Sequence, residues 1–110
     1  MKAIWNGKVL ARSSKAEEID GNYYFPIHSI KSKYFIPSER RSRCPYKGVA
    51  HYFHIVVDGK VNEDAAWYYP EPSVFAFTIK DRITFWKGVE IVESDEKVKF
   101  EIFNTLSFFF

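Results

Sequence analysis

Apolar and polar residues alternate along this chain in short runs, and most runs are bounded by Gly, Pro, Asn or Asp. That punctuation predicts antiparallel hairpins. Asn6-Gly7 separates Ala3-Ile4-Trp5 from Lys8-Val9-Leu10-Ala11, and Asn-Gly accepts the two positive φ angles of a type I′ turn. Asp20-Gly21 plays the same part between Glu17-Glu18-Ile19 and Tyr23-Tyr24-Phe25, with Pro26 ending the second strand. Val49 to Val57 is a run of β-branched, aromatic and histidine side chains and is the clearest strand. Asp58-Gly59 turns it, Lys60-Val61 starts the return, and Ala65 to Tyr69 completes the pair. Pro70 and Pro72 stop that strand, because proline cannot donate to a ladder. Arg82 to Trp86, the turn Lys87-Gly88 and Val89 to Glu93 predict a further hairpin.

Three segments break the two-residue rhythm. Ile27, Ile30 and Tyr34 have helical spacing, which predicts a short helix between Ile27 and Phe35. Pro37 to Lys47 is polar and reads as a loop. Pro72 to Ile79 reads as a short helix capped by Ser73, or as another strand. Val98 to Phe103 alternates again. Residues 94–110 therefore form a C-terminal extension, either a last strand or a partly disordered tail. With no internal repeat and no linker, the expectation is a small, mostly β single domain over residues 1–93, with one or two short helices.

Composition sharpens this picture. A chain of 110 residues has room for one core. Its aromatic share of 19% lets a small core bury a large area. A net charge of +2 is too small to imply a polyanionic partner by itself. One cysteine forbids an internal disulfide and any zinc site built on paired cysteines. A lone thiol suits a reducing, cytoplasmic setting. Met1 to Gly7 lacks the apolar run of a signal peptide. No stretch reaches the roughly 18 to 20 apolar residues of a membrane span, and Phe108 to Phe110 is far too short.

The run Cys44-Pro45-Tyr46-Lys47-Gly48-Val49-Ala50-His51-Tyr52 resembles the DUF427 family. So does Val57-Asp58-Gly59-Lys60-Val61-Asn62-Glu63-Asp64-Ala65-Ala66-Trp67-Tyr68-Tyr69-Pro70-Glu71-Pro72. Ala3-Ile4-Trp5-Asn6-Gly7 and Gly21-Asn22-Tyr23-Tyr24-Phe25-Pro26 fit the same pattern. The resemblance covers residues 1 to about 92 and implies a small β domain of unknown function. It also implies a fold similar to the β-tent group, in which two antiparallel sheets lean together. Several β-tent relatives hold zinc with two cysteine pairs, and the single Cys44 cannot. A nucleotidyltransferase label is attached to the family in places. That chemistry needs closely spaced carboxylates beside a Gly-Ser turn to orient a triphosphate. Asp58 and Asp64 are six residues apart, with a turn between them and no Gly-Ser nearby.

The chemistry-bearing residues concentrate between Arg43 and Pro72. Cys44 has Arg41, Arg43 and Lys47 as sequence neighbours, and positive charge stabilises a thiolate. A nucleophilic role would need a base such as His51 or His54; the alternative is a buried small apolar residue at a strand corner. His51 and His54 are three apart on a strand and so face opposite sides, which argues against a shared metal unless a bulge intervenes. His28 lies on a separate element. Asn62-Glu63-Asp64 reads as a polar turn, or else Asp64 orients Lys47 or a histidine of the paired strand. Trp67 and Tyr69 share a face, with Ala65 and Ala66 leaving space beside Trp67 for a shallow pocket, or else Trp67 fills the core. Lys31, Lys33, Arg40, Arg41, Arg43 and Lys47 outnumber one acid, Glu39, with Tyr34, Phe35 and Tyr46 among them. Such interleaving occurs in single-strand nucleic-acid binders. No nucleic-acid motif accompanies it, so a solvated loop is the expectation.

Three functions fit these residues, and whether the protein is an enzyme stays open at this stage. The first is a module binding a small molecule through Tyr46, Lys47, Asp64, Trp67 and Tyr69, with no cofactor and no metal. The second is a thiol enzyme with Cys44 as nucleophile, Lys47 as electrostatic helper and His51 as base. The third is a structural or protein-interaction domain, compatible with a homodimer, suggested by exposed strand edges and the apolar tail Leu106 to Phe110.

Overall fold

The computed structural model describes residues 1–93, and the strand expected over Val98 to Phe103 lies outside them. Among the described residues nine strands form two antiparallel sheets. They are β1 (Lys2–Trp5), β2 (Lys8–Arg12), β3 (Glu17–Ile19), β4 (Asn22–Pro26), β5 (Phe35–Cys44), β6 (Gly48–Val57), β7 (Lys60–Tyr68), β8 (Arg82–Phe85) and β9 (Glu90–Val92). The smaller sheet runs β2-β1-β9 and the larger one β3-β4-β8-β7-β6-β5. Asn6-Gly7, Asp20-Gly21 and Asp58-Gly59 turn three hairpins with positive φ at both residues, as their composition predicts.

The longest pairing joins β5, β6 and β7. Cys44 pairs with Gly48 and Arg41 with His51 on one side of β6. Tyr52 pairs with Trp67 and Val57 with Lys60 on the other. The segment Pro37 to Lys47, expected as a loop, is therefore mostly strand. Its polarity misleads because β5 is the edge of the larger sheet, where charged residues and proline are tolerated. Register is lost between Pro37 and Arg41, where proline has no N–H to give.

A second correction concerns β8 and β9. The turn is present, with Val89 N–H bonded to the Trp86 carbonyl at 3.3 Å. Yet the strands do not form a hairpin: β8 pairs with β7 and β4, whereas β9 pairs with β1. The turn carries the chain from one sheet to the other, and β9 completes the smaller sheet. The helix expected between Ile27 and Phe35 is two separate 3-10 turns, Ile27–Ser29 and Ser32–Tyr34. Between them Ile30 is extended, bridges to Ala11, and hands on to Lys31, whose N–H bonds to the Leu10 carbonyl at 2.7 Å. Cross-strand partners outcompete the helical ones there. Of the two readings of Pro72 to Ile79 the helical one holds, as a 3-10 segment Val74–Ile79 kinked at Ala76. Ser73 does not cap it; its hydroxyl donates to the Tyr46 carbonyl instead.

Side-chain alternation divides the larger sheet into two apolar faces. Phe25, Phe35, Ile55, Val57, Ile83 and Phe85 pack with Ala3, Leu10 and Ala11 of the smaller sheet. The opposite face gathers Tyr24, Ala50, Tyr52 and Tyr69 under Ala76 and Ile79, with Ile19, Cys44 and Trp67 at the margin. That second face carries the chemistry. No helix among the described residues is long and apolar enough to cross a membrane.

Candidate functional site

The register of β6 decides which side chains meet. Tyr52 and His54 point to the second face, and Val49, His51 and Phe53 to the first or beyond its margin. Cys44 lies opposite Gly48, and so on the Tyr52 side. Cys44 and His51 therefore leave the sheet on opposite faces, and no hydrogen bond joins them among the described residues.

Two polar clusters occupy the second face. At one end Lys47 Nζ meets Asp20 Oδ2 at 3.0 Å. Burial works against the Lys47 charge, but the Asp20 hydrogen bond and the fields of Tyr24, Asp20 and Tyr69 outweigh it, so its pKa is raised. Lys47 is thus a fixed ammonium rather than a base or nucleophile. Tyr24 and Tyr69 are buried beside it, and burial raises both phenol pKa values while Lys47 opposes the rise. Cys44, half-buried and free, packs against the same tyrosines.

At the other end Asp64 is a hub. Three residues of β7 stand against His54 alone where the ladder slips between Phe53 and Ile55. This bulge turns Asp64 to φ 54°. A non-glycine residue in that region is strained, and such strain persists only where neighbours over-determine it. Here every polar group of Asp64 is engaged. Its N–H donates to His54 Nδ1 at 3.1 Å, Ser38 Oγ donates to Oδ1, and Trp86 Nε1 donates to its carbonyl. Arg40 Nη1 lies 3.8 Å from Oδ2.

Ser38, His54 and Asp64 have the composition of a hydrolytic triad but not its geometry. The Ser38 hydroxyl is spent on the carboxylate, and Nδ1 of His54 is occupied as an acceptor. Among the described residues no imidazole nitrogen accepts from the serine hydroxyl, as the triad arrangement requires.

A groove of about 810 Å³ opens at the β5–β6 end. Its lining includes Arg43, Cys44, Val49, His51, Glu71 and Ser73. The far wall is stapled in place: Ser73 N–H bonds to the Lys47 carbonyl at 3.0 Å, and Ser73 Oγ to that of Tyr46. Gly48 permits the approach, because a Cβ there would lie 3.1 Å from the Glu71 carbonyl oxygen. The His51 pKa is lowered, first by burial and then by Arg41, against an opposing pull from Glu71. These influences favour the neutral imidazole of His51. Among the described residues neither Arg43 nor Glu71 has an ion-pair partner, so both charges are free to meet a ligand.

A family model described as a domain of unknown function, DUF427, matches residues 1–98 of the 110-residue chain. The chain belongs to the DUF427 family. No curated protein matches this DUF427 chain. The family's function is unknown, so the arrangement of side chains carries the rest.

Of the residues singled out from sequence, Cys44 and His51 line the groove of this DUF427 domain. Tyr46 is exposed near it and stacks on Phe75 at 5.7 Å between ring centroids. Lys47 and Tyr69 belong to the tyrosine cluster, and Asp64 to the hub. Trp67 packs between Tyr52 and Trp86. Ala65 and Ala66 are fully buried in the core against the smaller sheet. Among the described residues no three His, Cys, Asp or Glu side chains group to hold a metal ion. Sequence reasoning missed Arg43 and Glu71 as groove residues. Pro70-Glu71-Pro72 was a usable signal, since a charge between two prolines is held on a stiff extended segment. Ser38 and Trp86 carried no local signal, and Arg40 reads from sequence only as part of a solvated basic loop.

Proposed function

We propose that this DUF427 domain binds a small polar molecule in the groove between the β5–β6 turn and residues 70–73. The observation that carries the reading is the groove itself. Its volume of about 810 Å³ falls in the range of roughly 300 to 1,000 Å³ usual for small-molecule sites. Arg43 and Glu71, neither ion-paired among the described residues, line it together with the imidazole of His51. A cation, an anion and a neutral donor–acceptor suit a ligand with charges of both signs. Opposite faces for Cys44 and His51 weigh against a thiol enzyme, because the thiol lacks that base. A thermal-shift screen of amino-acid-like metabolites tests the proposal. Ligands that raise the melting temperature should lose the effect in both Arg43→Ala and Glu71→Ala. A screen without hits, or hits indifferent to both substitutions, would sink it.

A second reading has its own observation. Val74, Phe75 and Phe77 are 84%, 74% and 68% exposed. Three such side chains on one short segment suit a protein-interaction surface. Concentration-dependent sedimentation that changes in Phe75→Ser would support a homodimer through that segment.

A further inference from the structure

The Arg40 side chain ends in an aromatic box. Its Cζ lies 4.8 Å from the ring centroid of Tyr52 and 5.7 Å from that of Trp86. Trp67 closes the box, edge-on to Trp86 at 5.5 Å and tilted against Tyr52 at 6.3 Å. The Asp64 carboxylate completes it, 3.8 Å from the guanidinium. Ring faces with one carboxylate are the chemistry that recognises an organic cation.

The walls are fixed and the occupant is not. Trp86 is held by the Asp64 carbonyl, Tyr52 by a 2.7 Å hydrogen bond with Ser42, and Asp64 Oδ1 by Ser38. Lys87 also lies over Trp86, at 5.0 Å, but its Nζ is anchored by the Glu63 carbonyl at 2.9 Å. The Arg40 side chain is 44% exposed, and it springs from the stretch where β5 loses register with β6. Its backbone N–H is held separately by Ser38 Oγ at 3.0 Å. The side chain can leave without breaking a strand pairing.

We propose that Tyr52, Trp67, Trp86 and Asp64 form a binding site for an organic cation, the alkylguanidinium or alkylammonium group of a ligand, with Arg40 as a resident plug that the ligand displaces. This site is separate from the groove and does not depend on it. The bonds formed are non-covalent, and the incoming cation replaces the outgoing one, so the net charge at the box is conserved.

Methylguanidinium and tetramethylammonium are the probes, titrated against the full chain at constant ionic strength and followed by indole fluorescence. Arg40→Gln removes the competing charge and should tighten binding about tenfold, the gain expected when one cation–π competitor is withdrawn. Trp86→Leu in that background should abolish binding, and Arg43→Ala in the groove should leave it unchanged. A folded Arg40→Gln protein that binds no more tightly than wild type overturns the proposal, as does binding that survives Trp86→Leu. If Arg40→Gln fails to fold by circular dichroism, the wild-type chain decides. Saturable movement of the Trp67 and Trp86 indole resonances on titration supports the site, and unmoved resonances overturn it.

Discussion

Asp64 donates its backbone N–H to Nδ1 of His54 at 3.1 Å, across the bulge that sets Asp64 at φ 54°. In this geometry Nδ1 carries no proton, so His54 is held as the tautomer protonated at Nε2. The same bond satisfies an amide that the bulge would otherwise strand. Two effects of substituting Asp64 can then be separated. Asp64→Gly loses the side-chain contacts to Ser38 and Arg40 but relieves the backbone. Asp64→Ala loses the same contacts and keeps the strain. Alanine should therefore be the worse substitution by about 1 kcal/mol. Urea denaturation of both variants checks this, and equal midpoints would show that the positive φ is not a source of strain.

Thr84 presents the opposite case. Its residue is 1% exposed, and among the described residues Oγ1 is buried with no hydrogen-bond partner. A lone buried hydroxyl costs free energy, and a methyl group of the same shape does not. Thr84→Val should be neutral or stabilising by up to about 1 kcal/mol. A clear drop in the denaturation midpoint would mean that the hydroxyl has a partner in solution.

Local signals and long-range ones were unequally legible in the sequence. The hairpin from Val49 to Tyr69 could be read because its β-branched residues, its Asp58-Gly59 turn and its stop at Pro70 are neighbours along the chain. The partner of β9 could not, because the choice between β8 and β1 depends on which sheet lacks a strand. β5 looked like a loop because an edge strand can be polar throughout. With β5 unassigned, the face of Arg40 was undefined, and so was the aromatic box. Asn62-Glu63-Asp64 reads from sequence as a polar turn, or else as placing Asp64 against Lys47 or a paired-strand histidine; the segment lies within β7, its bulge turns Asp64 to the paired-strand His54, and Lys47 meets Asp20.

The tyrosine cluster sets a direction for stability against pH. Tyr24 and Tyr69 have pKa values raised above 10.0, chiefly by burial, and Lys47 is raised above 10.5. All three hold their protons longer folded than unfolded. Their contribution is complete below about pH 10 and is lost as pH rises through the folded values. The urea midpoint should thus fall as pH rises above about 10. Tyr24→Phe should flatten that fall, since phenylalanine has no proton to lose. An unchanged alkaline slope in Tyr24→Phe would count against the buried phenol as its source.

Gly48 ties the fold to the groove. Its φ is 117°, a conformation that side chains rarely adopt, and an added Cβ would meet the Glu71 carbonyl oxygen at 3.1 Å and the Pro72 Cα at 3.6 Å. Gly59 provides the control. It also has a positive φ, 78°, but nothing lies within 4 Å of its Cβ position. Gly59→Ala should cost only the backbone term, about 1 to 2 kcal/mol. Gly48→Ala should cost more, because backbone atoms on a proline-stiffened segment cannot move aside as a side chain can. The extra cost should appear as a displaced 71–73 wall, with weaker bonds from Ser73 to Tyr46 and Lys47. Chemical denaturation of the two variants gives the first comparison. Amide hydrogen exchange at Ser73 gives the second, with faster exchange expected in Gly48→Ala alone. Equal stability losses and equal exchange would mean that the wall does not rest on Gly48, and that the groove is held open by other contacts.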